Sequence, residues 1–127
     1  MTRSKYGNKK CQYNGIVFDS KHEMERYKDL YLLQKAGEIR NLRTQVAFTL
    51  LPAQYDTSHE IYKSGPHRGE KKPGQLLERK CEYVADFVYI TKDGDYVVED
   101  AKGAKTKGYL IKRKMMLYFH KIRVVEV

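Results

Sequence analysis

Cysteine is scarce in this sequence. Only Cys11 and Cys81 are present, far apart and without Cys-x-x-Cys spacing. That excludes a disulfide framework and a structural zinc site, and both residues read as small apolar positions in strands. Long apolar runs are missing too, so no segment can span a bilayer as a helix. The opening Met1-Thr2-Arg3-Ser4-Lys5-Tyr6 has no apolar signal core, so no membrane partner is expected and the expected compartment is the cytoplasm. His59 and His67 have no partner at metal-ligand spacing and read as surface residues. No Ser, Cys or His constellation points to a covalent nucleophile, and there are no internal repeats.

Acidic residues are the minority, with 16 Asp and Glu against 25 Lys and Arg and a formal net charge of +9. Such an imbalance suits a polyanionic partner, though solubility alone would also account for it. The basic residues cluster at Arg3 to Lys10, Lys63 to Lys80 and Lys102 to Lys114, which favours nucleic acid. At 127 residues the chain fits one domain with a modest core.

Residues 1–10 are polar and basic and read as a flexible arm. Asn14-Gly15 is a strong two-residue hairpin signal within residues 11–18. A helix follows from Asp19 or Ser20 to Gly37. Ser20 and Glu23 have capping-box spacing, and Gly37 is a left-handed stop. Met24, Tyr27, Leu30, Tyr31 and Leu33 form its apolar stripe. Glu23 lies on that stripe, and spacing leaves two readings of it: a cap alone, or a carboxylate aimed at a site.

Asn41 to Leu51 reads as a strand with Val46, Phe48 and Leu50 on one face and Gln45 near its start. Residues 53–79 lose periodicity and read as a long basic loop, with a short strand near Glu60 to Tyr62. A second helix runs from about Thr106 or Gly108 to Phe119, with Ile111, Met115 and Tyr118 as its apolar stripe, widened by Leu110 and Leu117. Residues 122–127 form a terminal strand, parallel to residues 95–102 as a strand–helix–strand unit requires.

The chain centres on residues 84–103, two apolar runs around Asp93-Gly94. A three-residue loop with Gly94 left-handed pairs Thr91 with Asp95. That register sets Asp86 opposite Asp100 and Val84 opposite Lys102. A two-residue loop would instead put the two aspartates on opposite faces. Like charges facing each other across a ladder are destabilising, so the three-residue register calls for a cation. Oxygen-only ligands suit Mg²⁺ or Mn²⁺. An ordinary solvated hairpin is the plainer alternative.

The ordered set Glu23, Asp86, then Asp100-Ala101-Lys102 resembles the PD-(D/E)XK nuclease superfamily, and in outline its small Holliday-junction resolvases, archaeal and phage-encoded. The likeness runs from Lys5-Tyr6-Gly7-Asn8-Lys9-Lys10 through Gly15, Phe18-Asp19-Ser20, Glu23, Glu25 and Tyr27. It resumes at Gly37-Glu38-Ile39, Asn41-Leu42, Gln45, Tyr83 to Phe87 and Val98 to Gly103. Ala85 stands where the superfamily name has proline.

The resemblance implies an α+β fold, a restriction-endonuclease-like mixed central sheet flanked by helices. It implies hydrolysis of DNA phosphodiesters with Mg²⁺, for which Mn²⁺ would substitute. Asp86, Asp100 and the Ala101 carbonyl would bind metal, Glu23 directly or through water, and Lys102 would orient or activate the attacking water. Gln45 would neighbour the site, and Glu99 would face away as a structural residue. Branched DNA would be held by Arg3, Lys5, Lys9, Lys10, Lys105, Lys107, Lys112 and Arg113, in a homodimer that cuts two strands symmetrically. If the chain is phage-encoded, the compartment is the host cytoplasm. Alternatives are a restriction-like, nicking or transposon-end endonuclease with the same site, or a non-catalytic DNA-binding module.

Overall fold

The chain enters its fold through a tight hairpin. The computed structural model describes residues 10–101 and 104–127. Strands β1 (Cys11–Tyr13) and β2 (Ile16–Phe18) pair antiparallel, with Tyr13 opposite Ile16. Asn14 and Gly15 take φ of 54° and 78°, as a type I′ turn requires. Helix α1 (Lys21–Lys35) then starts on the expected cap, with the Glu23 N–H donating to Ser20 Oγ at 3.1 Å. At its far end the N–H groups of Gly37 and Glu38 reach back to the carbonyls of Gln34 and Leu33. That is a Schellman stop, and Gly37 supplies the positive φ it needs.

Strand β3 (Ile39–Leu51) follows, then β4 (Gln54–Tyr55), β5 (Leu76–Glu78), β6 (Cys81–Thr91) and β7 (Tyr96–Asp100). Helix α2 (Lys107–Met115) runs into a π-helical turn, Met116–His120, before the short strand β8 (Val125–Glu126). Four strands form the central mixed sheet in the order β3-β6-β7-β8. β6 and β7 are antiparallel. β7 and β8 are parallel, with Asp100 opposite Glu126. The fold is mixed α+β, as expected, and the terminal strand is shorter than residues 122–127.

The β6–β7 turn is the three-residue loop. Thr91 N–H donates to Asp95 O at 2.8 Å, Gly94 N–H to Thr91 O at 2.9 Å, and Gly94 has φ of 94°. Ile90 faces Tyr96, Val88 faces Val98 and Phe87 faces Glu99. Continued one step beyond these pairs, the register would set Asp86 opposite Asp100.

Both faces of this hairpin are buried. Phe87 and Tyr89 join Phe18, Tyr27, Leu30 and Ile39 in a core that α1 covers, and the Phe18 and Tyr27 rings lie 5.1 Å apart. Val88 and Val98, alternating to the other face, are buried as well. Burying each such side chain contributes about 1.5–3 kcal/mol. Glu99 shares the α1 face and is 1% exposed. Arg26 of α1 meets it with two charge-assisted bonds, Nε to Oε1 at 2.8 Å and Nη2 to Oε2 at 2.7 Å. The Tyr89 hydroxyl donates to the same carboxylate. Glu99 therefore faces away from Asp100 in a structural role, as expected.

Two expectations need correction. The chain groups into two compact units, one running up to Phe48 and resuming at Tyr83–Val127, the other Thr49–Glu82. The second unit contains residues 53–79, read above as a loop. It is an antiparallel excursion in which β4 pairs with β5 and Ile61 bridges Lys71. Backbone bonds continue between Asp56 and Gln75, Glu60 and Lys72, and Tyr62 and Glu70. Its strands are too short and too charged to show a period. Gly74 permits the closest approach, since a Cβ there would lie 1.7 Å from the Asp56 carbonyl oxygen.

The apolar stripe of α2 is also different. Tyr109 and Met116 are buried, whereas Ile111, Leu117 and Tyr118 are exposed. Arg113 is half-buried and binds Glu126 of β8, on the same side of the helix as Tyr109 and Met116. The π-helical turn then shifts the phase of the residues after Met115. No helix among the described residues is long and apolar enough to cross a membrane.

Removing Arg26 strands a buried carboxylate, and breaking such a pair typically costs about 3–5 kcal/mol. Arg26→Ala should lower stability by that amount in urea unfolding followed by circular dichroism. A loss under about 1 kcal/mol, the value of an exposed pair, would show that Glu99 is solvated.

Candidate functional site

The site is built where the open end of the β6–β7 hairpin meets the first turn of α1. Ser20 caps that turn, and Glu23 stands three residues inside it with 6% of its surface exposed. From β3, the Gln45 side-chain amide donates to Glu23 Oε1 at 3.1 Å and to Asp86 Oδ1 at 3.2 Å. The other Asp86 oxygen, Oδ2, accepts from the Ala101 N–H at 2.8 Å. Three elements thus bring Glu23, Gln45, Asp86 and Ala101 together.

Asp100 is 1% exposed. Its Oδ2 accepts from the Tyr83 hydroxyl at 2.5 Å, and Tyr83 lies 6.4 Å, ring to ring, from Tyr109 of α2. Burial first, and then the bond to Asp100, hold the Tyr83 hydroxyl far above its usual range, so it stays a donor. Sequence reasoning missed Tyr83 as a partner of the site. Its place among the quoted residues before Asp86 was the only signal, and it named no role.

Glu23 carries the electrostatic strain. Burial, then the charge of Asp86, then that of Asp19 raise its carboxyl from the ordinary 4.5 to about 7. Among the described residues no cation pairs with Glu23 or Asp86; amides alone hold them. The plain reading of Glu23 as a cap accounts for its backbone N–H but not for its side chain. Gln45 is unusual as well, a non-glycine residue with φ of 52° inside a strand.

Lys102, Arg3, Lys5 and Lys9 lie outside the described residues. Lys10 and Lys107 are exposed and Lys112 is half-buried. Lys105 and Arg113 are both tied to Glu126, with Lys105 Nζ 2.7 Å from its Oε2. These two cations, first Lys105 and then Arg113, hold the Glu126 carboxyl below its ordinary range.

The fit to a divalent cation can be tested on these groups. Among the described residues, no three Asp, Glu, His or Cys side chains form a ready-made metal cluster. Asp100 is engaged by Tyr83, while Asp86 and Glu23 share Gln45. The donors are nevertheless all oxygens, and the charge of Asp86 bears on Glu23 with no cation paired to either among the described residues. That chemistry fits a hard ion such as Mg²⁺ or Mn²⁺.

A mixed α+β chain with carboxylates gathered at a hairpin end is the class that fold and site define. The chain matches, over residues 3–126, the family described as "protein of unknown function (DUF1064)", and it belongs to that family. No curated protein and no solved structure matches it.

A raised carboxyl pKa means the folded chain holds its proton longer than the unfolded one. The contribution of Glu23 to stability is then greatest below about pH 4.5 and declines as pH climbs towards 7, by about 3 kcal/mol over the full interval. Glu23→Gln should remove that share of the pH dependence and be the more stable protein at pH 8. Urea titrations of both proteins between pH 4.5 and 8 in EDTA measure this. Parallel curves would place Glu23 in solvent.

Proposed function

We propose that this protein is a metal-dependent, structure-selective DNA endonuclease that resolves four-way or other branched DNA. The observation that carries this reading is the Glu23–Gln45–Asp86 cluster beside Asp100 and Ala101. These are the carboxylates that the superfamily resemblance marks, and the fold brings them to one end of one hairpin. The net charge of +9 supports a polyanionic substrate.

Asp86, Asp100 and the Ala101 carbonyl would hold Mg²⁺ or Mn²⁺, with Glu23 binding directly or through water. When bound, such an ion polarises the scissile phosphate and lowers the pKa of water. Tyr83 keeps Asp100 oriented through its hydroxyl. The Ala101 N–H fixes one oxygen of Asp86 and Gln45 the other. Without a metal the Glu23 carboxyl is raised to about 7, first by burial, and a bound cation would favour its ionised form.

Lys102 follows Asp100 by two positions, and its ammonium would stabilise charge developing on the phosphate. Lys10, Lys107 and Lys112, together with Arg3, Lys5 and Lys9, would grip the DNA backbone, which fixes position without reading bases. Lys105 and Arg113 would join them less readily, because Glu126 already holds both. A homodimer would present two such sites to the two strands of a junction.

The experiment compares nicking of a four-way junction with that of linear duplex, in Mg²⁺ and in EDTA, by wild type and Asp100→Asn. Paired nicks near the branch that need Mg²⁺ and vanish in the variant are expected. Equal cutting of linear duplex would move the substrate to that of a restriction-like or nicking relative. DNA binding without cutting in any metal would leave a binding module.

A further inference from the structure

We infer that Gln45 is a positioning residue, held in a left-handed backbone so that its amide spaces the carboxylates of Glu23 and Asp86 before any cation arrives. The inference rests on the nuclease reading for its consequence, and on geometry for its substance.

Three observations converge on this residue. Its Nε2 lies 3.1 Å from Glu23 Oε1 and 3.2 Å from Asp86 Oδ1. An amide nitrogen carries two protons, one for each acceptor. Its φ of 52° is a conformation that a glutamine adopts only at a cost of about 1–2 kcal/mol. The strand it interrupts, Ile39–Leu51, is the longest in the sheet and holds one other left-handed residue, Asn41, a type that tolerates that conformation better than glutamine. Backbone strain of this kind persists where the surroundings over-determine it, and it clusters at functional sites.

The chemistry explains why an amide suits the place. Two carboxylates brought close together repel each other and spread apart. Lysine or arginine would neutralise them permanently and compete with a divalent ion. A neutral amide supplies two donors and leaves the negative charge in place. Asp86 is then held on both oxygens, by Gln45 and by the Ala101 N–H. Residues that orient ligands in this way typically change metal affinity or activity about 10–100-fold when removed.

Glycine at this position separates the two contributions, because it relieves the strain while deleting the amide. Gln45→Gly should keep its melting temperature within about 4 °C of wild type. Gln45→Ala keeps the strain and should melt about 4 °C below Gln45→Gly. Both variants should bind Mn²⁺ about 10-fold more weakly by calorimetry. Their kcat on junction DNA should fall by a similar factor, with KM unchanged. A residue that only shaped β3 would lower stability in both variants and leave Mn²⁺ affinity alone.

Wild type that binds Mn²⁺, with Gln45→Gly binding it equally well, overturns the inference. Wild type that neither binds Mn²⁺ nor cuts DNA overturns the nuclease reading instead. The positioning role is then decided by melting of the metal-free proteins at pH 8. Glu23→Ala should shift the melting temperature by different amounts in wild type and in Gln45→Gly. Equal shifts in the two backgrounds overturn it.

Discussion

The buried carboxylate of Glu99 is the constraint from which the rest of the site follows. A charge with 1% of its surface exposed cannot be tolerated unless its partners are in place. Arg26 reaches it with a two-point fork, and such a fork has little angular freedom. The fork therefore fixes the rotation of α1 about its axis and its height along the hairpin. Glu23 sits on the same face of α1, one turn before Arg26. Asp100 is the next residue after Glu99, on the opposite face of β7. The ion pair thus places one carboxylate on each side of the hairpin end without touching either. Tyr89 completes the arrangement, its hydroxyl raised to about 12, first by burial and then by the bond to Glu99. An apolar contact in this position would stabilise as well, but it would let α1 slide.

Local chemistry was legible in the sequence, and cross-chain chemistry was not. Asn14-Gly15, Ser20, Gly37 and Gly94 act within four or five residues of themselves, and each does what its type predicts. The Gly94 loop carried the most information. Once its length is known, the pairs across β6 and β7 from Ile90–Tyr96 to Phe87–Glu99 follow. The period of α1 was readable because that helix buries an ordinary apolar face, Tyr27 and Leu30 among it. The period of α2 misled because its inward face is held by Arg113 and Glu126, and charged residues read as outward on any hydropathy scale. The ladder within Thr49–Glu82 was invisible for a related reason. Backbone bonds sustain it, and these leave no pattern in side-chain type. Tyr83, Arg26 and the left-handed Gln45 were beyond reach, since each matters only through a residue far along the chain.

The distribution of countercharge argues for what the site lacks. The sheet end holds Asp86 and Asp100, with Glu126 beside Asp100 on the parallel strand. Lys105 and Arg113 together neutralise Glu126. A chain with nine surplus positive charges has cations to spare for the other two carboxylates and for Glu23. Among the described residues it gives Glu23 and Asp86 only amides. Burial first, and then the nearby charges of Asp86 and Asp19, raise the Glu23 carboxyl to about 7. Among the described residues, Glu126 is neutralised twice while Glu23 and Asp86 share only amides, an arrangement that would suit a cation supplied from outside. A divalent ion delivered with a phosphate backbone would satisfy both these carboxylates and the surplus of basic residues, whereas either ligand alone would satisfy only one.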